Sequence, residues 1–284
     1  MLTAYLALTG RIILLGYERI VVKRLGSSKS GGGAGFMLFF TALFFFIPFL
    51  FTAEWPQDPG VYLKISLCAI IYSVTFSLYV LSLSIGEISL VGPLYNFNVF
   101  FLLIISYLFL GESIGIMKIA GILLLLYGAS FLSRQGSLFR SLLFLFKDKA
   151  CFLMIIFSCL LAVGRVADKY LVRDIDPVVY AFVLYAQMTA FLYIFNVLCG
   201  RGKTVFKLFR ENPKDCAIAG AINAFSYLFL LYALKEIEVS VAEPANMLSM
   251  VISLILAYFI FREKVGKRAM GVVIMMIGAW LLFI

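Results

Sequence analysis

The chain has 284 residues, of which 63% are hydrophobic and 14% are charged, and its formal net charge is +9. A soluble domain has about a quarter of its residues charged, and the mean hydropathy of +1.05 is typical of a protein embedded in lipid. The composition therefore excludes an ordinary soluble fold. The basic residues lie in short segments between apolar runs, so a nucleic-acid-binding surface is not indicated either.

Enzyme chemistry has little support in the sequence. Histidine is absent, and no nucleotide-binding loop, zinc-protease motif or nucleophile elbow occurs. The five cysteines show no metal-ligand spacing and lie mostly in or beside apolar runs, so we interpret them as core residues. We expect no catalytic residue, no metal and no cofactor.

Apolar runs long enough for membrane helices recur along the whole chain. A helix of about 20 residues crosses a bilayer of about 30 Å. We interpret the first run as a membrane helix and not as a secretory signal, because it lacks a basic leading segment and contains Arg11. We predict an all-α polytopic membrane protein of ten transmembrane helices, at residues 2–22, 36–53, 61–84, 88–110, 116–133, 150–169, 178–199, 216–235, 239–261 and 269–284.

Basic residues are concentrated in the loops after the first, fifth, seventh and ninth predicted helices. These loops hold 16 of the 24 basic residues, whereas the opposite loops contain acidic segments such as EWPQDPG and RDIDP. The positive-inside rule places the basic loops in the cytoplasm. We therefore expect a multi-pass protein of the plasma (inner) membrane with both termini outside.

The second half of the chain repeats the first. GEISLVGPLYN and YLFLGESIG recur 151 positions later as IEVSVAEPANM and YFIFREKVG. Each half holds five predicted helices, an odd number, so the second half enters the membrane inverted, as in alternating-access carriers. We predict two five-helix repeats, 1–133 and 150–284, around a central cavity, joined by a basic loop at 134–149.

These repeated motifs resemble the drug/metabolite transporter superfamily, in particular its EamA-type ten-helix members. The similar features are a proline in the fourth helix of each half, a following GE or RE, and a glycine in the fifth helix; here they are Pro93, Glu112 and Gly121, then Pro244, Glu263 and Gly271. The resemblance covers nearly the whole chain. It implies a transporter whose cavity is lined by helices 1, 3, 4, 6, 8 and 9, with helices 5 and 10 at the periphery. It also implies cytoplasmic termini, which the charge distribution opposes.

Arg11 lies near the middle of the first predicted helix, where an ionised side chain costs about 2.5 to 3.5 kcal/mol on insertion scales and therefore faces a partner or a water-filled path. Glu18 is seven residues on and shares its helix face. One interpretation is a structural tie to a carbonyl or to a carboxylate on another helix. The other is a substrate anchor, in which the guanidinium binds a carboxylate or a phosphate.

A second set of charges lies near the end of the first helix of each half. Arg19 and Lys23 are spaced i, i+4, and they match Arg165 and Lys169 at a shift of 146. We interpret both pairs as side chains that snorkel to the interface. The alternative is a cationic vestibule on each side of the membrane. Asp168 is placed to neutralise that charge.

Glu243 precedes Pro244, and its repeat partner is Gly92, so this carboxylate belongs to the second half only. A proline inside a helix frees a carbonyl one turn back, and we predict that Pro93 and Pro244 act as structural hinges. Glu243 is either a proton or cation site in an open helix or an acid at the positive end of a helix dipole. Glu112 and Glu263 are predicted to cap the helices that follow them.

We predict a secondary transporter that moves a small metabolite, preferably an amino acid or another anionic or zwitterionic compound, by alternating access. An exporter of amphipathic organic cations or drugs, a flippase of a lipid-linked substrate and a non-transporting membrane subunit are the alternatives. The expected partners are the lipid bilayer, the substrate and a proton or another coupling ion, with no nucleic acid, in a monomer or homodimer. The predicted substrate-binding residues are Arg11, Glu18, Tyr79, Tyr95, Asn96, Arg165, Asn223, Tyr227, Glu243 and Asn246.

Overall fold

The computed structural model describes residues 2–27, 33–110, 115–132, 138–200, 202–237 and 239–281, and these segments fold into helices joined by short turns. A 3-10 segment, Gly92–Asn96, joins the fourth helix to the fifth. The helices are α1 (Leu2–Gly26), α2 (Ala34–Leu50), α3 (Pro59–Ile85), α4 (Ile88–Val91), α5 (Phe97–Leu110), α6 (Ile116–Ser130), α7 (Leu138–Lys147), α8 (Lys149–Leu171), α9 (Pro177–Leu198), α10 (Gly202–Val205), α11 (Lys207–Glu211), α12 (Pro213–Glu236), α13 (Val239–Asn246), α14 (Ser249–Phe261) and α15 (Gly266–Leu281).

Five segments among the described residues are long and apolar enough to cross a membrane: α3, the stretch Ile88–Ile105, α8, α9 and α12. Three shorter apolar helices are α2, α6 and α14. Each predicted helix coincides, to within four residues at either end, with one helix or with a helix that is broken once. The all-helical class is confirmed, and the number of ten crossings stays a prediction. Part of the predicted loop at 134–149 is helical, as α7.

The fourth and ninth predicted helices, which carry the repeated prolines Pro93 and Pro244, are both interrupted. In the first half the 3-10 segment, which contains Pro93, lies between α4 and α5. In the second half α13 ends at Asn246, two residues after Pro244, and α14 begins at Ser249. Around this second break the hydrogen bonds are of the tighter i to i+3 type, such as Leu248 N–H to Ala245 O at 3.1 Å. The breaks are where a missing proline N–H predicts them; hinge motion at these prolines stays a prediction.

Helix pairings in the two halves correspond to one another. Helix α1 of the first half packs on α12 and α14 of the second half, and α8 of the second half packs on the equivalent helices α3 and α5 of the first. Two further pairs, α2 with α9 and α6 with α15, each join equivalent helices of the two halves. The α6–α15 pair has few contacts with the rest of the bundle, so it lies at the periphery, as the resemblance implies.

Helices α6 and α15 approach each other at glycines. A Cβ added to Gly128 would lie 2.7 Å from Gly271 O, and one added to Gly271 would lie 2.7 Å from Gly128 O. Nearer the opposite end of the contact, a Cβ on Gly278 would lie 2.8 Å from Gly121 O. The residue order is reversed between the two helices, which therefore run antiparallel. Small residues allow helix backbones in lipid to pack this closely.

We expect Gly128→Ala to lower the unfolding temperature of the purified protein, because the new methyl group meets backbone atoms that cannot rotate away. Overpacking of this kind costs about 1–3 kcal/mol. Gly35→Ala is the matched control, since no atom lies within 4 Å of a Cβ at that position. Thermal unfolding in detergent measures both variants, and equal unfolding temperatures would contradict the close approach of α6 and α15.

Candidate functional site: a buried charge network

Among the residues that the structure describes, six charged ones lie deepest in the helix bundle, each at most 4% exposed. Three are arginines and three are carboxylates, so their formal charges cancel. We call them the charge network: Arg11, Glu18 and Arg19 on α1, Arg165 and Asp168 on α8, and Glu243 on α13.

Part of the charge network lines a very small cavity. The volume open to the centre of a water molecule is about 10 Å³, which is room for roughly one water. A metabolite therefore enters only if helices separate. The lining residues are Arg11, Leu15, Glu18, Phe76, Tyr95, Arg165, Tyr185, Asn223 and Tyr227. Six of the ten predicted substrate-binding residues are among them. The lining residues come from predicted helices 1, 3, 4, 6 and 8, which are five of the six that the resemblance implies, and Tyr185 on α9 adds the seventh predicted helix.

Asp168 is the best-satisfied member of the charge network. Both of its oxygens accept hydrogen bonds from phenol groups on three different helices. The four donors are Tyr72 Oη at 2.6 Å, Tyr180 Oη at 2.8 Å, Tyr227 Oη at 2.9 Å and Arg165 Nη1 at 3.0 Å. So many donors fit an ionised carboxylate. Asp168 therefore holds Arg165 in place and has little capacity left for a substrate.

Arg165 has a second carboxylate partner. Its Nε lies 3.4 Å from Glu243 Oε1, and Asn98 Nδ2 donates to Glu243 Oε2 at 2.9 Å. Arg165 is 1% exposed, so the interpretation that it snorkels to the interface is wrong. Glu243 joins α13 of the second half to α8 and, through Asn98, to α5 of the first half.

Arg11 and Glu18 form the predicted pair, although loosely. Arg11 Nη1 donates to Ser226 Oγ at 2.5 Å and lies 3.9 Å from Glu18 Oε2. Arg11 Nε and Glu18 Oε2 are both buried without a hydrogen-bond partner among the described residues, as is Asn223 Oδ1 in the same cavity wall. A donor and two acceptors with spare capacity therefore face one small space.

Arg19 is fully buried, so the snorkelling interpretation is wrong for this residue too. The reason is that α1 continues to Gly26, which leaves Arg19 two turns inside the helix and facing the bundle. Its Nη1 donates to Ser249 Oγ at 3.1 Å and to Ser253 Oγ at 3.2 Å. The guanidinium carbon lies 5.0 Å above the centre of the Tyr95 ring, within cation–π distance.

Glu263 joins the two halves at the end of α1. It accepts hydrogen bonds from Lys23 Nζ at 2.7 Å and from two backbone N–H groups at the start of α4, Ile88 at 3.0 Å and Ser89 at 2.7 Å. The prediction that it caps the following helix is therefore wrong. Arg262, just before Glu263, ends α14 with a left-handed backbone, φ 55°. Glu112 lies outside the described residues.

The remaining predicted residues are buried close to the cavity. Asn96 Nδ2 donates to Met250 Sδ at 3.0 Å, which is a helix-to-helix contact. Tyr79 Oη and Asn246 Oδ1 are buried without a partner in the described segments, so they retain capacity for a ligand. The sequence reasoning did not identify Tyr72 and Tyr180 as partners of Asp168. The sequence did contain one indication that Asp168 is buried beside Arg165: their i, i+3 spacing places both side chains on one face of the helix.

Apolar helices that enclose a balanced set of charges define a polytopic membrane protein with a polar core. The EamA-like transporter family matches the chain twice, over residues 2–134 and 148–284. The chain belongs to this family, in the drug/metabolite transporter superfamily, and is a membrane transporter of that type. The two matches correspond to the two halves recognised in the sequence.

A solved structure titled "Crystal structure of protein" shares the fold. Its TM-score is 0.56 and its sequence identity is 15%, and the similarity covers 98% of this chain and 97% of that one. Among curated protein sequences, none matches this chain significantly.

Proposed function

We propose that the protein is a secondary transporter of a small zwitterionic or anionic metabolite, with an amino acid as the preferred substrate class. The observation that carries this proposal is the pair Arg11 and Glu18. Both line the central cavity, and each has an unused hydrogen-bonding atom. A guanidinium and a carboxylate side by side match the carboxylate and ammonium groups of an amino acid.

The structure changes the role proposed for Glu243. This carboxylate is paired with Arg165 and Asn98, so we assign the ammonium group of the substrate to Glu18. Arg11 keeps its role as the anchor of the substrate carboxylate. Glu243 remains the proposed site for a coupling proton, because its carboxylate pairs with Arg165 and accepts from Asn98 of the other half, and loss of its charge would weaken both contacts.

Alternating access between inverted halves is supported by a hydrogen bond that occurs in both halves between equivalent residues. Lys23 Nζ donates to Gly86 O at 2.9 Å, and its repeat partner Lys169 donates to Ile237 O at 3.1 Å. Gly86 and Ile237 are themselves 151 positions apart. The antiparallel packing of α6 on α15 fits the same inverted relation. We propose that the basic loops face the cytoplasm and that both termini face outward.

We expect amino acids to raise the unfolding temperature of the purified protein, and Arg11→Gln and Glu18→Gln each to weaken this effect. Loss of one charge-assisted hydrogen bond is worth about 1.5–3 kcal/mol, or roughly 10- to 100-fold in affinity. Compounds that stabilise the protein are then tested for flux into proteoliposomes. Lys64→Gln, which changes an exposed residue away from the cavity, is the control.

The alternatives give different results in the same experiment. Stabilisation by organic cations alone, lost in Glu18→Gln and retained in Arg11→Gln, would favour a drug exporter. Movement of a labelled lipid between leaflets of vesicles, without flux of any soluble compound, would favour a flippase. A flippase would use a cationic vestibule of the kind considered for Arg19 and Lys23, and the complete burial of Arg19 does not fit that role. Binding that is indifferent to both substitutions would overturn the assignment of Arg11 and Glu18.

A further inference from the structure

The two halves of the charge network are unequal. Arg165 and Arg19 are repeat partners, 146 positions apart. Arg165 is neutralised by two carboxylates of its own half, Asp168 and Glu243. The residues at the corresponding positions of the first half are Val22, 146 positions before Asp168, and Gly92, 151 positions before Glu243. Neither carries a charge, so the first half keeps the cation and lacks both anions.

The unsatisfied atoms of Arg19 lie on one edge of its guanidinium. Nη1 is occupied by the hydroxyls of Ser249 and Ser253. Nε and Nη2 are buried and have no hydrogen-bond partner in the described part of the chain, where no carboxylate lies within ion-pairing distance of them either. Nε and Nη2 together form the planar two-donor edge that binds both oxygens of a carboxylate.

Arg19 does not line the central cavity but lies next to residues that do. Arg11, Leu15 and Glu18 line the cavity, and Arg19 extends the same stripe of α1, one turn beyond Leu15. Tyr95 connects the two places, since its ring lies beneath the guanidinium of Arg19 and also lines the cavity. An anionic group of a compound held by Arg11 and Glu18 would therefore reach Arg19 along this stripe when the helices separate.

We propose that Arg19 is a second oxyanion subsite, which binds an additional carboxylate or phosphate of the transported compound. This inference rests on the proposed function. In this proposal the anionic group of the substrate pairs with Arg19 as Glu243 pairs with Arg165. The substrate class is then narrower than amino acids in general: it comprises acidic amino acids, dicarboxylates and phosphorylated metabolites. A fully buried guanidinium without a directly paired carboxylate is costly, so a second anionic group stabilises the loaded protein more than a neutral group does.

Gly92→Glu tests the proposal by supplying the missing carboxylate from the protein itself. Gly92 has a right-handed helical backbone, φ −55° and ψ −47°, which proline disfavours in the residue before it, but Glu243 before Pro244 is helical as well. A Cβ there would lie 3.6 Å from Ile88 Cγ2 and 3.9 Å from Arg19 Cδ, without a clash. The sequence Glu–Pro that this change creates already occurs at Glu243 and Pro244. Gly92→Gln is the matched control, with the same shape and no charge.

The probes are L-glutamate and L-glutamine, which differ only in the side-chain carboxylate, with O-phosphoserine and serine as the phosphate pair. Thermal stabilisation gives apparent affinities. We expect the wild-type protein to prefer at least one acidic probe over its neutral partner by about tenfold or more, the effect of one charge-assisted contact. Gly92→Glu is expected to remove that preference and to raise the unfolding temperature without ligand, whereas Gly92→Gln retains the preference. A preference for L-glutamate over L-glutamine would indicate that Arg19 binds a carboxylate, and a preference for O-phosphoserine over serine would indicate a phosphate.

The outcomes separate this inference from the proposed function. Equal binding of acidic and neutral probes by the wild-type protein would overturn the Arg19 subsite and leave the zwitterion site at Arg11 and Glu18 intact. Equal loss in Gly92→Glu and Gly92→Gln would show a steric effect and would also overturn it. Failure of all four probes to bind would overturn both proposals. If Gly92→Glu does not fold, Arg19→Gln provides the test: the preference should disappear while glutamine binding persists.

Discussion

Asp168→Asn is expected to be the most destabilising conservative substitution in the protein. The carboxylate accepts four hydrogen bonds and neutralises Arg165, and its residue is 0% exposed. An amide presents one acceptor oxygen and an NH₂ group, so donors of the surrounding tyrosines and of Arg165 lose their acceptor. Removal of one member of a buried ion pair costs about 3–5 kcal/mol. Thermal unfolding in detergent measures the effect.

Two further variants show whether this loss belongs to Asp168. Asp174→Asn changes an exposed aspartate six residues further on and is expected to alter the free energy of unfolding by less than about 0.5 kcal/mol. Tyr72→Phe removes one of the four donors, and we expect it to cost about 1–3 kcal/mol. An Asp168→Asn variant as stable as Asp174→Asn would refute the assignment of Asp168 as the anchor of Arg165.

The contact at Glu263 is expected to make stability depend on pH. Burial raises the pKa of this carboxyl group, but hydrogen bonds from Lys23 Nζ and from the backbone of Ser89 and Ile88 outweigh burial and hold the pKa below its ordinary value of 4.5. A group whose pKa is lower in the folded state binds protons more readily when unfolded. The stabilisation is therefore complete above pH 4.5 and is lost as the pH falls from there through the folded-state pKa.

Glu263→Gln is expected to reduce stability at neutral pH by about 3–5 kcal/mol, because Lys23 and two backbone N–H groups lose a charged acceptor. Unfolding measured from pH 7 to pH 3 should fall more steeply in the wild-type protein than in this variant. Glu54→Gln alters an exposed glutamate and should reproduce the wild-type profile. Parallel profiles for the wild-type protein and Glu263→Gln would exclude Glu263 as the source of the pH dependence.

The helices and the inner face of α1 could be predicted because each depends on local periodicity. Apolar runs set the helix positions, and the seven-residue spacing of Arg11 and Glu18 put them on one face. The matched prolines marked both interrupted helices. The aligned halves also showed that Gly92 stands where the second half has Glu243. That this leaves Arg19 without a paired carboxylate followed only from the buried position of Arg19.

Other features required tertiary packing that no local pattern encodes. Arg19 was expected at the interface because the apolar run, and with it the predicted first helix, ends near residue 22. Helix α1 continues to Gly26, and this places Arg19 deeper in the bundle. The partners of Asp168 come from α3, α9 and α12, helices that the sequence separates widely. Glu263 contacts Ser89 across 174 positions. Spacing along one helix cannot predict such contacts, since they depend on the relative rotation of several helices.

The cancellation of charge within the six buried side chains has an electrical consequence. With all six ionised, the core of the empty transporter has no net charge, so the transmembrane voltage exerts no net force on it. Moving one unbalanced elementary charge across the membrane changes the free energy by about 2.3 kcal/mol per 100 mV. The current carried in a transport cycle is then set by the cargo and by any accompanying ion. A neutral zwitterion would cross without current, and a compound with one extra carboxylate would carry one negative charge, which a patch electrode or a planar bilayer records directly.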